Sequence, residues 1–221
     1  MHRSRIKRYY QGRHAQNYNR QWRAFSERTL NATLTSLEQA LAARPSDRQR
    51  RILDVGCGTG LLLRLLADRF PEAELVGVDA SPDMLEHAHH TLKEKPHVQL
   101  RQVELGADGQ PILPCAPGTF DLITCTNTFH YFTEPVVVLQ TWREVLVEGG
   151  QVLVEDYTLR RTPVPWNAFE WAIKLYDPQH VRLYPPSTVQ VLSQQAGFQV
   201  LHTQTFSIDF FCQGWVVHLV K

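Results

Sequence analysis

The segment Ile52-Leu53-Asp54-Val55-Gly56-Cys57-Gly58-Thr59-Gly60 constrains this chain more than any other. An apolar strand runs into glycines at every second position and then into a leucine-rich stripe, Leu61, Leu62, Leu65, Leu66 and Phe70. Glycine is required where the backbone turns tightly or lies against a ligand or a helix, because a Cβ there would collide. A dinucleotide fold expects G-x-G-x-x-G, with a helix N-terminus facing the pyrophosphate. Here the third glycine comes one residue early and an acid, Asp54, precedes the loop, which disfavours NAD. An acid beside such a loop favours positive charge on whatever ligand lies there.

Nineteen residues past Gly60, Asp79 ends a second apolar run, where a carboxylate can accept both hydroxyls of a ribose. Short apolar or β-branched runs at Arg51–Val55, Glu74–Asp79, Val98–Leu105, Phe120–Thr126 and Gln151–Tyr157 alternate with helical patterns, the mark of a mostly parallel sheet. Ser81-Pro82 predicts an N-cap with proline at the first helical position. Thr133-Glu134-Pro135 does the same before a helix over Val136–Val147, which Gly149-Gly150 is expected to end. A helix through Val189–Ala196 and an antiparallel pair, Gln199–Ile208 and Phe211–Val220, complete the pattern.

The sequence resembles the class I S-adenosylmethionine-dependent methyltransferases, especially the small-molecule branch that includes ubiquinone and menaquinone methyltransferases. The pieces that carry the resemblance are ILDVGCGTG at Ile52–Gly60, VGVDASPDMLEHA at Val76–Ala88, FDLITCTNTFHYF at Phe120–Phe132, WREVLVEGGQVLVED at Trp142–Asp156 and AGF at Ala196–Phe198. The resemblance implies a Rossmann-like, doubly wound α/β fold: a seven-stranded mixed sheet with helices on both faces and a helical cap. It implies S-adenosylmethionine as cofactor, with Asp54, Gly56 and Gly58 as the methionine-side cradle, Cys57 and Gly60 as further cofactor-binding residues of the loop, and Asp79 as the ribose clamp. Ala80 and Met84 become the apolar wall beside adenine. The carbonyl of Thr126 meets the methionine ammonium, and His130 and Tyr131 face the acceptor. Where the family usually carries an acid that receives the adenine amino group, this chain reads Gln102-Val103-Glu104-Leu105. Glu104 beside Leu105 is the expected ligand there, with Asp108 as the alternative. His130 is a candidate general base or a packing residue. Tyr18, in the opening helix, either closes over the cofactor or packs on the sheet.

A chain of 221 residues with 43% hydrophobic content supports one substantial core. The expected organisation is a helical lid at 1–45, a cofactor-binding core at 46–157, a cap insertion at 158–186 and a C-terminal helix with a strand pair at 187–221. Leu30, Leu34, Leu37 and Leu41 predict one apolar face on the lid helix. In the cap, Trp166, Phe169, Trp171, Tyr176 and Tyr184 suit either core packing or an apolar or aromatic acceptor such as a quinol, phenol or lipid.

A net charge of +1 gives no reason to expect nucleic acid. Locally, Arg3, Arg5, Lys7, Arg8, Arg13, Arg20, Arg23 and Arg28 face one acid, Glu27, so the leader suits a solvated face or contact with anionic lipid or an acidic partner. Cys57, Cys115, Cys125 and Cys212 are widely spaced, which suggests neither a disulfide framework nor a metal site. With no apolar run near the ~20 residues of a membrane span, the expectation is a cytoplasmic protein. Methyl transfer to a small acceptor is thus expected. The alternatives are a non-catalytic S-adenosylmethionine-binding module and an NAD(P)-dependent oxidoreductase.

Overall fold

The computed structural model describes residues 23–42, 48–103, 113, 115–160, 171, 173–175 and 180–221. The first described element is helix α1 (Arg23–Ala42). The sheet is then built from β1 (Arg51–Val55), β2 (Glu74–Asp79), β3 (Gln99–Gln102), β4 (Phe120–Thr126), β5 (Leu146–Leu159), β6 (Gln199–Ser207) and β7 (Cys212–Val220). Its seven strands lie in the order β3-β2-β1-β4-β5-β7-β6. The first five run parallel, and β7 inserts antiparallel between β5 and β6. This is the mixed sheet expected from the resemblance, with strand order reversing at β1 and β4, where α/β sheets open a crevice at their carboxyl edge.

Side chains alternate across each strand, so consecutive residues feed opposite cores. Leu53, Ile123, Val152, Val154 and Val217 pack with Trp142 of helix α4 (Pro135–Val145) and Val189 of helix α5 (Pro186–Gln195). Ile52, Leu122, Leu153 and Val216 pack on the other face with α1, with Leu62, Leu63 and Leu66 of helix α2 (Leu61–Arg69), and with Leu85 of helix α3 (Pro82–Thr91). Helices thus cover both faces.

The most buried stripe of α1 is not its leucines alone. Thr29, Thr33, Ser36 and Ala40 are buried beside Leu37 and Leu41, whereas Leu30 and Leu34 are only partly covered. Small side chains let the helix approach β5 and β7 closely, and their hydroxyls bond to the helix itself, Thr33 to the Thr29 carbonyl at 2.9 Å and Ser36 to that of Ala32 at 3.0 Å.

Several boundaries differ from expectation. Strand β3 is shorter, Gln99–Gln102, and β5 is longer, so Thr158 and Leu159, assigned to the cap, belong to the sheet. Helix α4 stops at Val145, because Leu146 already turns extended and pairs with Phe120, and the two glycines therefore do not end it. Ser81 does cap α3, accepting from the Met84 N–H at 3.3 Å, but Glu134 makes no side-chain cap for α4. No helix among the described residues is long and apolar enough to cross a membrane. The four cysteines are free thiols. Tyr18, Glu104, Leu105, Asp108, Trp166, Phe169 and Tyr176, and the basic leader up to Gln21, lie outside the described residues.

Candidate active site

The loop after β1 folds back onto β2: the N–H groups of Gly56 and Cys57 both donate to the Val78 carbonyl, at 2.8 and 3.0 Å. The three glycines serve different ends. A Cβ on Gly56, at φ 71°, would lie 2.4 Å from Thr128 Cγ2, and one on Gly60, at φ 77°, would press on Ala88 and Leu92 of the α3 region. At Gly58, with φ 53°, a Cβ would meet no atom within 4 Å. Gly56 and Gly60 are thus demanded by the protein's own packing, whereas Gly58 leaves bare backbone facing open space.

That space is a cavity lined by Gly56, Cys57, Gly58 and Thr59 from the loop, by Asp79, Ala80 and Met84 from β2 and α3, and by Val103, Leu61 and Leu62. Thr126, Asn127, Thr128, Tyr131 and Phe132 line it from the end of β4, and Ser26 and Leu30 from α1. The structure therefore brings together Gly56, Cys57, Gly58, Asp79, Ala80, Met84, Thr126 and Tyr131 on one cavity. Gly60, Asp54 and His130 sit behind it rather than on its wall.

Asp79 accepts from the Gly58 N–H and the Ser81 N–H, both at 2.8 Å. Burial raises its pKa, and bonds from the Ser81, Gly58 and Ala80 backbone oppose the rise. The same carboxylate that reaches the cavity thus also holds the loop in shape. Asp54, fully buried under the loop, accepts from Thr124 Oγ1 at 2.8 Å, and its Oδ2 has no partner among the described residues. Burial lifts its pKa to about 7 against the Thr124 bond, with repulsion from Asp79 adding to the rise.

Asn127 is a lining residue the sequence reading passed over. It sits at φ 50°, a left-handed conformation that asparagine tolerates better than most side chains, and an asparagine just past a strand end was the available signal. Its N–H donates to the Glu155 carbonyl at 3.1 Å and its Nδ2 to Thr29 Oγ1 at 3.1 Å, while its buried Oδ1 has no partner among the described residues. Thr128 Oγ1 donates to the Thr126 carbonyl at 3.0 Å.

His130 is buried in a short 3₁₀ turn, Phe129–Tyr131. Asp156, at the far end of β5, accepts its backbone N–H at 2.9 Å and lies 2.9 Å from its Nδ1. The His130 ring stands 4.0 Å from that of Tyr131 and 5.3 Å from that of His180. Among the described residues, no group of three His, Cys, Asp or Glu side chains is arranged to hold a metal.

A family model described as a methyltransferase domain matches residues 14–203. The chain belongs to that family. Among curated relatives it is 33% identical over 137 residues to the trans-aconitate 2-methyltransferase of Azoarcus sp. (strain BH72), covering 58% of this chain and 51% of that protein. It is 29% identical over 173 residues to the demethylmenaquinone methyltransferase of Thermus thermophilus, covering 68% and 75%. The chain thus spans about half the length of the first relative. Solved structures agree on the fold: YcgJ of Bacillus subtilis superposes with a TM-score of 0.67 at 21% identity, over 85% of this chain and 98% of that one. A Haemonchus contortus phosphoethanolamine N-methyltransferase 2 complex with S-adenosylhomocysteine gives 0.74 at 16% identity, over 100% and 60%. The methyltransferase-domain family and the Rossmann-like sheet are therefore shown together.

Proposed function

We propose that this methyltransferase-family chain binds S-adenosylmethionine in the cavity after β1 and passes its methyl group to a small acceptor. One observation carries the reading: Gly58 turns bare backbone toward a cavity that ends on the Asp79 carboxylate. A carboxylate offers about four acceptor sites, so its bonds to the loop leave capacity for ribose hydroxyls. Elsewhere on the lining, the Asn127 Oδ1, buried and without a partner among the described residues, and the Thr126 carbonyl are acceptors suited to an ammonium group. Ala80, Met84 and Val103 form an apolar stretch fit for the adenine ring that the ribose carries.

When bound, the cofactor supplies an activated methyl group on sulfur. The protein's contribution is to fix the positions of the two reactants and to exclude water, which together lower the barrier by several kcal/mol. Leu30 and Ser26 of α1 and Tyr131 and Phe132 complete the lining of the cavity. His130 and Tyr131 are the residues assigned to the acceptor, and Glu104, Leu105 and Tyr18 remain assigned to the cofactor by resemblance.

Calorimetry with S-adenosylmethionine, S-adenosylhomocysteine and NADH tests the reading. Saturable heat and thermal protection from the first two and none from NADH are expected, because a ligand that binds only the folded state raises its melting temperature. No heat from either sulfur compound overturns it. Binding without turnover of any acceptor would favour the non-catalytic module.

A further inference from the structure

Large apolar side chains left in water collect at one edge of the sheet. Among the described residues six are exposed, and four of them, Trp171, Leu175, Phe210 and Phe211, lie on segments that start or end at the carboxyl edge of the parallel strands. Phe210 is 77% exposed and Phe211 52%, and their rings meet edge to face at 5.1 Å on the turn between β6 and β7. Asp209 Oδ1 accepts the Phe211 and Cys212 N–H groups at 2.8 and 2.6 Å, so the turn is a fixed, projecting tip. Cys212 pairs with Leu159, the last residue of β5, and the Arg160 N–H donates to the Phe211 carbonyl at 2.9 Å, which places the tip at the carboxyl edge. The segment that leaves Arg160 returns at Val181, whose N–H donates to the His130 carbonyl in the turn after β4, so both of its ends lie on that edge. Trp171 and Leu175, on this segment, are each 65% exposed at the spacing of one helix face. Apolar side chains scattered singly need no explanation, but a clustered set of large ones marks a binding surface.

The charge around this edge selects the partner. Helix α1 is tied to the tip, with Arg28 Nη1 donating to the Ile208 carbonyl. The sequence leading into α1 carries eight cations between Arg3 and Arg28 against Glu27 alone, and over 160–182 Arg160, Arg161, Lys174 and Arg182 outnumber Glu170 and Asp177. The whole chain has a net charge of only +1, so the remainder is acidic in balance and the positive excess belongs to the segments that meet here. We propose that this edge docks on an anionic lipid bilayer. Phe210 and Phe211 enter the headgroup region, Trp171 and Leu175 meet the same interface, and Arg28, Arg160 and Lys174 lie beside lipid phosphates. A protein partner would need a matching pocket for a projecting aromatic pair, whereas a bilayer interface takes up such rings at headgroup level. Each cation held near an anionic leaflet adds attraction, and stable attachment needs two such signals together, here rings and charge. Asp209, the acid on the tip, has Oδ1 engaged by two backbone N–H groups. None of these residues lines the cavity, so the inference stands apart from the methyl-transfer reading.

The test is co-sedimentation of the full chain with vesicles of phosphatidylcholine alone and of phosphatidylcholine with phosphatidylglycerol in equal parts. Binding to the anionic vesicles is expected, weakened several-fold as salt is raised to about 0.5 M. The double change Phe210→Ser with Phe211→Ser should lower the partition about tenfold or more, through the loss of two rings from the interface. Its melting temperature should barely move, because both rings are exposed. Trp171→Ser, on a separate segment, should lower the partition several-fold by itself. Leu201, 53% exposed near the opposite end of β6, is the control, and Leu201→Ser should leave partition unchanged. Failure to sediment with anionic vesicles, partition that neither the double change nor Trp171→Ser reduces, or an equal loss in Leu201→Ser each overturns the inference. So does self-association that the double change dissolves in a protein that binds no vesicle, since the edge would then join two copies of the chain.

Discussion

The loop that lines the cavity and the turn behind its wall are built by different means. The loop after β1 and the end of β2 hold one another through short-range groups: Gly58 N–H to Asp79, Gly56 and Cys57 N–H to Val78. In the turn after β4, His130 is oriented by a carboxylate 26 residues away on β5, beside a histidine from a third segment. The first is local backbone geometry and suits a ligand common to a whole family. The second depends on long-range side-chain pairing, which substitutions can retune without disturbing the sheet.

The largest effect should come from breaking the link between the loop and β2. In Asp79→Asn, one carboxylate oxygen becomes an NH₂ group that cannot accept from Gly58 or Ser81. Two hydrogen bonds to a charged group, each worth about 1.5–3 kcal/mol, are at stake for a bound ribose. Affinity for S-adenosylhomocysteine should fall about a hundredfold or more in calorimetry, whereas the Asp156→Asn protein should keep near-normal affinity. Equal losses in both variants would remove the distinction between the two regions.

Two alanine substitutions sharpen it. Gly56→Ala places a methyl group against Thr128 at a positive φ, and overlap of this kind costs about 1–3 kcal/mol beyond the backbone strain. Gly58→Ala meets no atom and should cost only the left-handed backbone strain, about 1–2 kcal/mol. Thermal melts should therefore show the first variant clearly less stable than the second. Calorimetry should show the second nonetheless losing cofactor affinity, since its methyl group points into the cavity; a Gly58→Ala protein that binds normally would mean the ligand does not lie against the loop.

The contrast also explains what could be read from sequence. Strands β1, β2 and β4 match their expected bounds, and the glycine loop and Asp79 stand together as expected, because each is specified by residues adjacent in the chain. Ser81 was legible as a cap for the same reason. Asp156 was visible only as the end of a motif: nothing in the spacing between it and His130 reveals that β5 lies beside β4 in the register that brings them together. The leucines of α1 face one core cluster as their spacing implied, but the burial of Thr29, Thr33 and Ser36 was not legible, because it rests on bonds to their own helix. Asn127 is intermediate. Its type hinted at a left-handed turn, but its bond to Thr29, 98 residues away, did not.

The smallest expected effect concerns charge beneath the loop. Burial holds Asp54 protonated up to about pH 7 in the fold, whereas in the unfolded chain it ionises near 3.8. Between those values the unfolded state has released a proton the folded state retains, so this residue lowers stability as pH rises from about 4 to 7 and changes it no further above. Asp54→Asn keeps an acceptor for Thr124 and removes the titration, so its melting temperature should fall less over that window than that of the unaltered protein. A nearby cation favours the ionised form. Affinity for S-adenosylmethionine, which carries a sulfonium charge, should thus rise up to about tenfold from pH 6 to 8 relative to that for neutral-sulfur S-adenosylhomocysteine, a preference that Asp54→Asn should flatten. If calorimetry finds the two ligands changing in parallel with pH, Asp54 does not sense the sulfonium, and its buried acid serves the loop alone.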